Sequence, residues 1–175
     1  MNIVSLVPVG QLARDHLELL AEGLAPALHV ACSLESETLD ATFAFSPLRG
    51  QYNSTEILKK LHGHRTRETW RVLGVTELDL FIPILTFVFG EAQLGPSPAA
   101  AAVVSVHRLR QEFYGLPAAP TIAADRLLKE ALHELGHTLG LRHCLDYRCV
   151  MSSSNAVESI DLKLAEFCAE CAKTL

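Results

Sequence analysis

Residues 133–151, HELGHTLGLRHCLDYRCVM, bring three histidines, a glutamate, two cysteines and a methionine into nineteen positions. On a helix, His133 and His137 stand one turn apart and project from one face, where two imidazoles can share a cation. Glu134 beside them can reach a water on that cation without ligating it, as a general base does in zinc hydrolysis. Zinc needs a third protein ligand, and His143 supplies one if the helix ends and the chain turns back. Gly140 permits that turn, because glycine enters the left-handed region without a Cβ clash. Three neutral imidazoles leave Zn²⁺ an open position for water, whose pKa then falls to about 7. A bare HExxH is a weak signal, since buried helices carry occasional hydrogen-bonded histidines; HExxHxxGxxH is far more specific.

The cysteines carry a second signal. Cys144 and Cys149 form C-x₄-C, Cys168 and Cys171 form CxxC, and eighteen residues separate the pairs. Two short pairs across a loop are how a structural Cys₄ zinc site is built, because four thiolates close a tetrahedron and leave no open position. Two disulfides are the weaker reading for a chain without an export signal. A redox CxxC is weaker still, since this pair does not follow a first strand in a βαβ pattern. Cys144 directly follows His143, so their side chains diverge and two separate ions are the simpler arrangement. The Cys₄ cluster would then orient a ligand of the other site from its covalent neighbour.

Behind these residues lies an alternating pattern. NIVSLVPV reads as a strand and QLARDHLELLAEGL as a helix; ALHVACSLE and ATFAFSPL read as short strands. YNST, with Ser54 or Thr55 as N-cap, leads into a helix EILKKLHGH. VTELDLFIP, ILTFVFGEA and, after the turn-forming LGPSP, AAAVVSVHRL read as strands of one sheet. From Pro120 a helix carries Leu128, Leu132, Leu135 and Leu139 on one face and stops at Gly140. After the SSSN loop, SIDLKLAEFCAECAKTL places Ile160, Leu164 and Phe167 at helical spacing. An α/β domain with a small C-terminal metal-bound lobe results.

Composition limits the remaining choices. The chain has 175 residues, of which 49% are hydrophobic and 20% charged, enough for one domain with its own core. A net charge of -5 and the lack of a basic stripe argue against a nucleic-acid partner. The start lacks a signal-peptide pattern, and LFIPILTFVFG falls short of the roughly 18 residues a membrane span needs. The reading is therefore no membrane and a cytoplasmic location. Cys32 reads as a half-apolar core thiol. His107 reads as a surface or hydrogen-bonded strand-end residue, and His62 and His64 as solvent-exposed.

Taken together, these residues resemble the metzincin clan of zinc peptidases, and within it the archaemetzincins. The metzincin signature, HExxHxxGxxH followed by a methionine in a tight turn, matches His133, Glu134, His137, Gly140, His143 and Met151. A cysteine directly after the third histidine, a second before the methionine and a terminal CxxC are the archaemetzincin additions. Cys144, Cys149, Cys168 and Cys171 match them, and the likeness continues more softly upstream through VTELDLFIPILTFVFGEA and AVVSVHRLR. The resemblance implies an α/β (α+β) fold: a metzincin-like twisted mixed sheet, an active-site helix and a small C-terminal lobe bound by Cys₄ zinc. It gives Met151 the role of a hydrophobic floor under the catalytic zinc, close to that of any core methionine. It also implies an edge strand that binds substrate backbone antiparallel. TFVFGEA is the candidate, with an interior strand left open by the periodicity.

The expectation is a single metallopeptidase domain over 1–175, with a sheet-and-helix part over 1–140 and a zinc-binding part over 141–175. It would hold two Zn²⁺ per chain, one catalytic and one structural, and hydrolyse a peptide or protein substrate. The alternative is a non-catalytic metal- or peptide-binding protein in which only the Cys₄ zinc is filled.

Overall fold

Three runs, Ile3–Val9, Thr69–Thr76 and Ala101–Ser105, are buried along almost their whole length. Strands of that kind belong to a parallel sheet covered by helices on both faces. The computed structural model describes residues 1–95 and 100–175. In chain order it has β1 (Ile3–Val9), α1 (Arg14–Leu28), β2 (Ala31–Leu34), β3 (Phe45–Ser46), β4 (Gln51–Asn53), α2 (Ser54–Leu61) and β5 (Thr69–Thr76). There follow β6 (Leu80–Phe81), β7 (Gly90–Ala92), β8 (Ala101–Ser105), α3 (Pro120–Thr138), α4 (Val157–Leu162) and α5 (Ala169–Ala172).

The main sheet has the order β2-β1-β5-β8-β7, parallel except for β7, which runs antiparallel to β8 at the edge. Leu17, Leu20 and Leu24 of α1 and Leu127, Leu132 and Leu135 of α3 pack on one face, over Val4, Leu6, Leu73, Val75, Ala102 and Val104. On the other face, Ile57, Leu58 and Leu61 of α2 cover Val7, Val9, Val72, Ala101 and Val103. Strand alternation in β5 and β8 sends neighbouring residues into the two cores. A second, three-stranded sheet, β3-β4-β6, stands beside the first and meets it through an antiparallel bridge between Leu80 and Val88.

Several expectations need correction. ATFAFSPL is mostly a 3₁₀ turn (Thr42–Ala44), followed by only two strand residues. In ALHVACSLE, the first two residues finish α1 and only Ala31–Leu34 is strand. Asn53, not Ser54 or Thr55, caps α2: its side chain accepts from the Thr55 and Glu56 amides at 3.0 and 3.4 Å. The Ser54 and Thr55 hydroxyls are drawn instead to the Glu91 carboxylate. VTELDLFIP is not one strand; β5 ends at Thr76 and β6 joins the other sheet, with Asp79 between them pinned by Arg108. Of ILTFVFGEA only Gly90–Ala92 is strand, with residues 82–87 forming a loop. The turn expected at LGPSP lies partly outside the described residues.

The C-terminal pattern is two short helices rather than one. Between them the chain is extended, with the Leu164 amide donating to Arg148 O (2.8 Å) and the Val150 amide to Glu166 O (2.9 Å). Lys163 turns inward here, is almost wholly buried, and donates to Glu130 of α3 at 3.1 Å. One turn earlier on α3, Arg126 makes a two-pronged pair with Asp161, 2.7 Å on each side. The lobe is therefore fastened along one stripe of the α3 helix. Removing one partner of a buried pair strands the other charge, which costs about 3–5 kcal/mol. Urea unfolding should show Lys163→Met destabilised by about that much, and Lys163→Met with Glu130→Leu largely restored.

Candidate active site

α3 begins with Pro120 at its first turn, where the missing amide costs nothing, and ends in a glycine cap. Gly140 has φ +96°, the Leu141 amide donates to Gly136 O, and the Gly140 amide donates to His137 O. This double closure reverses the chain directly after the helix. It also delivers the Leu141 carbonyl to His137, whose Nδ1 lies 2.8 Å away. His133 Nδ1 lies 2.9 Å from Val150 O.

A carbonyl only accepts, so both Nδ1 atoms carry the proton and both Nε2 atoms present lone pairs. Those two Nε2 atoms face one another at 3.1 Å with no proton between them. That is close to the edge, roughly 3.3 Å, of a tetrahedron with the 2.0–2.1 Å arms of zinc–imidazole bonds. His143 completes the group, and one ring nitrogen from each of the three histidines lies within 4.8 Å of the others. Burial holds the His133 pKa down to about 3, with the Lys163 ammonium pushing the same way; burial also lowers His137. Neutral rings are the form a metal binds. The donor set fits zinc.

Glu134 is buried at the floor of the cleft, and its carboxylate makes no hydrogen bond among the described residues. Burial raises its pKa well above the ordinary value, with Glu130 and Glu91 adding to the rise and Lys163 opposing it. β7 comes close enough that a Cβ on Gly90 would sit 2.7 Å from Glu134 Cγ and from Val103 O. Only glycine allows this approach. The cleft, about 310 Å³, has Leu85–Gly90 along one wall and Ser153–Asn155 along the other, over Glu130, His133, Glu134 and His143.

The four cysteines also converge, within 4.8 Å of one another. Cys144 and Cys168 sulfurs lie 3.8 Å apart, far beyond a disulfide bond and close to the edge of a tetrahedron with roughly 2.3 Å zinc–sulfur arms. The Cys168 amide donates to Cys149 Sγ at 3.3 Å. Cys168 is held down to about 7, chiefly by the backbone amide of Cys171. This donor set fits a closed zinc site.

Met151 is fully buried, with its sulfur pressed against Gly136, where a side chain would collide with it. TFVFGEA does supply the edge of the sheet, through Gly90–Ala92. Cys32 is a half-buried free thiol packed against the larger core. His107 is hydrogen-bonded to Glu77 O. His62 is not solvent-exposed as expected: it is half-buried, with Nε2 2.7 Å from the Gln93 amide nitrogen, and His64 is likewise half-buried.

The reading of the sequence passed over Glu130, which the helical spacing from Glu134 could have shown, and Lys163, which no local signal marks. It also passed over Arg49, Gln51, Asp79 and Arg108, which lie around the cleft wall.

The model of peptidase family M54 matches residues 31–175. An archaemetzincin of Methanocaldococcus jannaschii is 42% identical over 172 residues, covering 98% of this chain and 92% of the relative. That of Thermococcus kodakarensis is 36% identical over 183 residues, covering 100% and 96%. Among solved structures, the malonate complex of the Archaeoglobus fulgidus archaemetzincin superposes with TM-score 0.83 at 35% identity, covering 99% of both chains. A zinc-dependent peptidase from Methanocorpusculum labreanum gives 0.86 at 29% identity, covering 98% of both. With its paired donor sets and mixed sheet, the chain belongs to peptidase family M54 and is a zinc metallopeptidase of the archaemetzincin type.

Proposed function

We propose that His133, His137 and His143 hold the catalytic zinc, that Glu134 is the general base, and that Cys144, Cys149, Cys168 and Cys171 hold a structural zinc. The observation that carries this reading is the pair of Nε2 lone pairs facing at 3.1 Å, both Nδ1 protons committed to carbonyls, beside a cleft-lining carboxylate with no hydrogen bond among the described residues. A non-catalytic metal binder gives no reason to set the Glu134 carboxylate in the cleft beside those lone pairs. Zinc held there supplies Lewis acidity, polarising a carbonyl and acidifying water to a pKa near 7.

The chain's own residues do the rest. A peptide lies along the β7 edge. The Phe89–Ser105 and Gln93–Ala101 backbone bonds turn residues 89 and 93 toward β8, so by alternation the backbone groups of Gly90 and Ala92 face outward. The apolar wall excludes bulk water. Glu134 takes a proton from the attacking water and hands it to the departing nitrogen. The Val150 and Leu141 carbonyls keep two imidazoles in the tautomer a metal needs. Met151 closes the floor beneath the helix. A reducing compartment such as the cytoplasm suits four unpaired thiols, and no described helix is long and apolar enough to cross a membrane.

Glu134→Gln keeps the size and shape of the side chain while removing the base. It should lower peptide hydrolysis by about three orders of magnitude or more at unchanged zinc content, measured by peptide-library digest and elemental analysis. Retained hydrolysis would contradict the mechanism.

A further inference from the structure

The cleft wall opposite Ser153–Asn155 is the loop between β6 and β7, and little regular structure holds it. Its own backbone contributes a turn, the Leu85 amide on Ile82 O, and a bridge, the Val88 amide on Leu80 O, each 3.0 Å, while at its far end Phe89 O accepts from the Ser105 amide at 2.8 Å. Its tip exposes Ile84 and Leu85 to solvent. Yet this segment lines the site with Leu85, Phe87 and Phe89, so something must fix its distance from Glu134.

The structure supplies a clamp from the neighbouring small sheet. Arg49 Nη2 donates to both the Leu85 and Thr86 carbonyls, at 2.7 and 2.9 Å. Its Nε donates to Gln51 Oε1 at 3.0 Å, and its guanidinium stacks 4.1 Å above the Phe81 ring. Buried Gln51 in turn donates to Thr86 O (3.0 Å) and to Asp79 (2.9 Å). Asp79 is gripped by both prongs of Arg108, at 2.6 and 2.7 Å, and the Arg108 guanidinium lies 4.3 Å over the ring of Phe87. Two cations thus hold consecutive parts of one wall: Arg49 by its carbonyls and Arg108 by an aromatic face that lines the cleft. A planar guanidinium spans several acceptors at fixed angles, which a flexible ammonium cannot do.

We infer that Arg49 is a positioning residue for substrate binding: by clamping the Leu85 and Thr86 carbonyls it holds the 82–89 wall at the distance a bound peptide requires. This rests on the cleft being the peptide site. Arg49 touches neither the histidines nor Glu134 in the bonds above, so its loss should weaken binding and spare the chemical step.

The test uses the full zinc-loaded protein and the library peptide that wild type cuts fastest. Arg49→Met keeps the stem and removes the donors. It should raise KM about tenfold, the scale of losing charge-assisted hydrogen bonds, with kcat within about twofold and both zincs retained. Hydrogen exchange at the Leu85 and Val88 amides should quicken at least about tenfold while the α3 amides stay protected. Arg49→Lys, with one ammonium for three acceptors, should fall between the two. Unchanged KM, a fall in kcat at constant KM, or unaltered exchange in 82–89 would each overturn the inference. A wild-type protein that cuts no peptide would contradict the peptidase reading itself, and the exchange measurement would still decide whether Arg49 holds the wall.

Discussion

One hydrogen bond carries the C-terminal segment into the active site: His133 Nδ1 to the carbonyl of Val150, at 2.9 Å. His133 belongs to the long helix, and Val150 lies between Cys149 and Met151 in the lobe that the cysteines gather. For that carbonyl to meet the ring, the segment 144–152 must be folded back beneath the helix. The Cys144 amide on Met151 O, the Val150 amide on Glu166 O and the sulfur cluster do this folding. The bond sets the tautomer of a proposed zinc ligand, so the closed site serves the open one without sharing an atom with it. His143, one residue before Cys144, links the two donor sets through the chain itself.

Burial is the second constraint on the site. Glu91, Glu130 and Glu134 crowd the same region, with Lys163 as the buried cation set against them. Glu91 is held by the Ser54 and Thr55 hydroxyls and Glu130 by Lys163, whereas Glu134 makes no hydrogen bond among the described residues. A carboxylate is expensive to bury alone, and such cost is tolerated where a group must act on something not yet bound. Gly90 and Gly136 reflect the same crowding from two sides, admitting the edge strand to Glu134 and Met151 to the helix.

What could be read from the sequence follows from the range of the forces involved. His133, Glu134, His137, Gly140 and His143 were legible because ligand spacing and the glycine cap are constraints within eleven residues. The four cysteines were legible as two short pairs, although eighteen residues separate Cys149 from Cys168. Of the strands, β1 and β8 showed in their apolar runs, whereas β6 was merged with β5 in one run, because its pairing with β4, some thirty positions away, leaves no local mark. Helical spacing held at Ile160, inside α4, but misled at Leu164 and Phe167, where Leu164 and Glu166 pair by backbone with Arg148 and Val150 and Lys163 turns in to Glu130. The clamp on the cleft wall was invisible: Arg49 and Leu85 are thirty-six positions apart, and carbonyl acceptors carry no signature in residue type.

The dependence of the open site on the closed one is most directly measured as zinc affinity. Cys171→Ser removes one sulfur from the cluster and touches no histidine. Chelator competition on this variant, with folding checked by circular dichroism, should show the histidine-bound zinc weakened about ten- to a hundredfold, the usual effect of losing a ligand's supporting shell. If histidine-site affinity equals that of wild type, the cysteine cluster does not position His133.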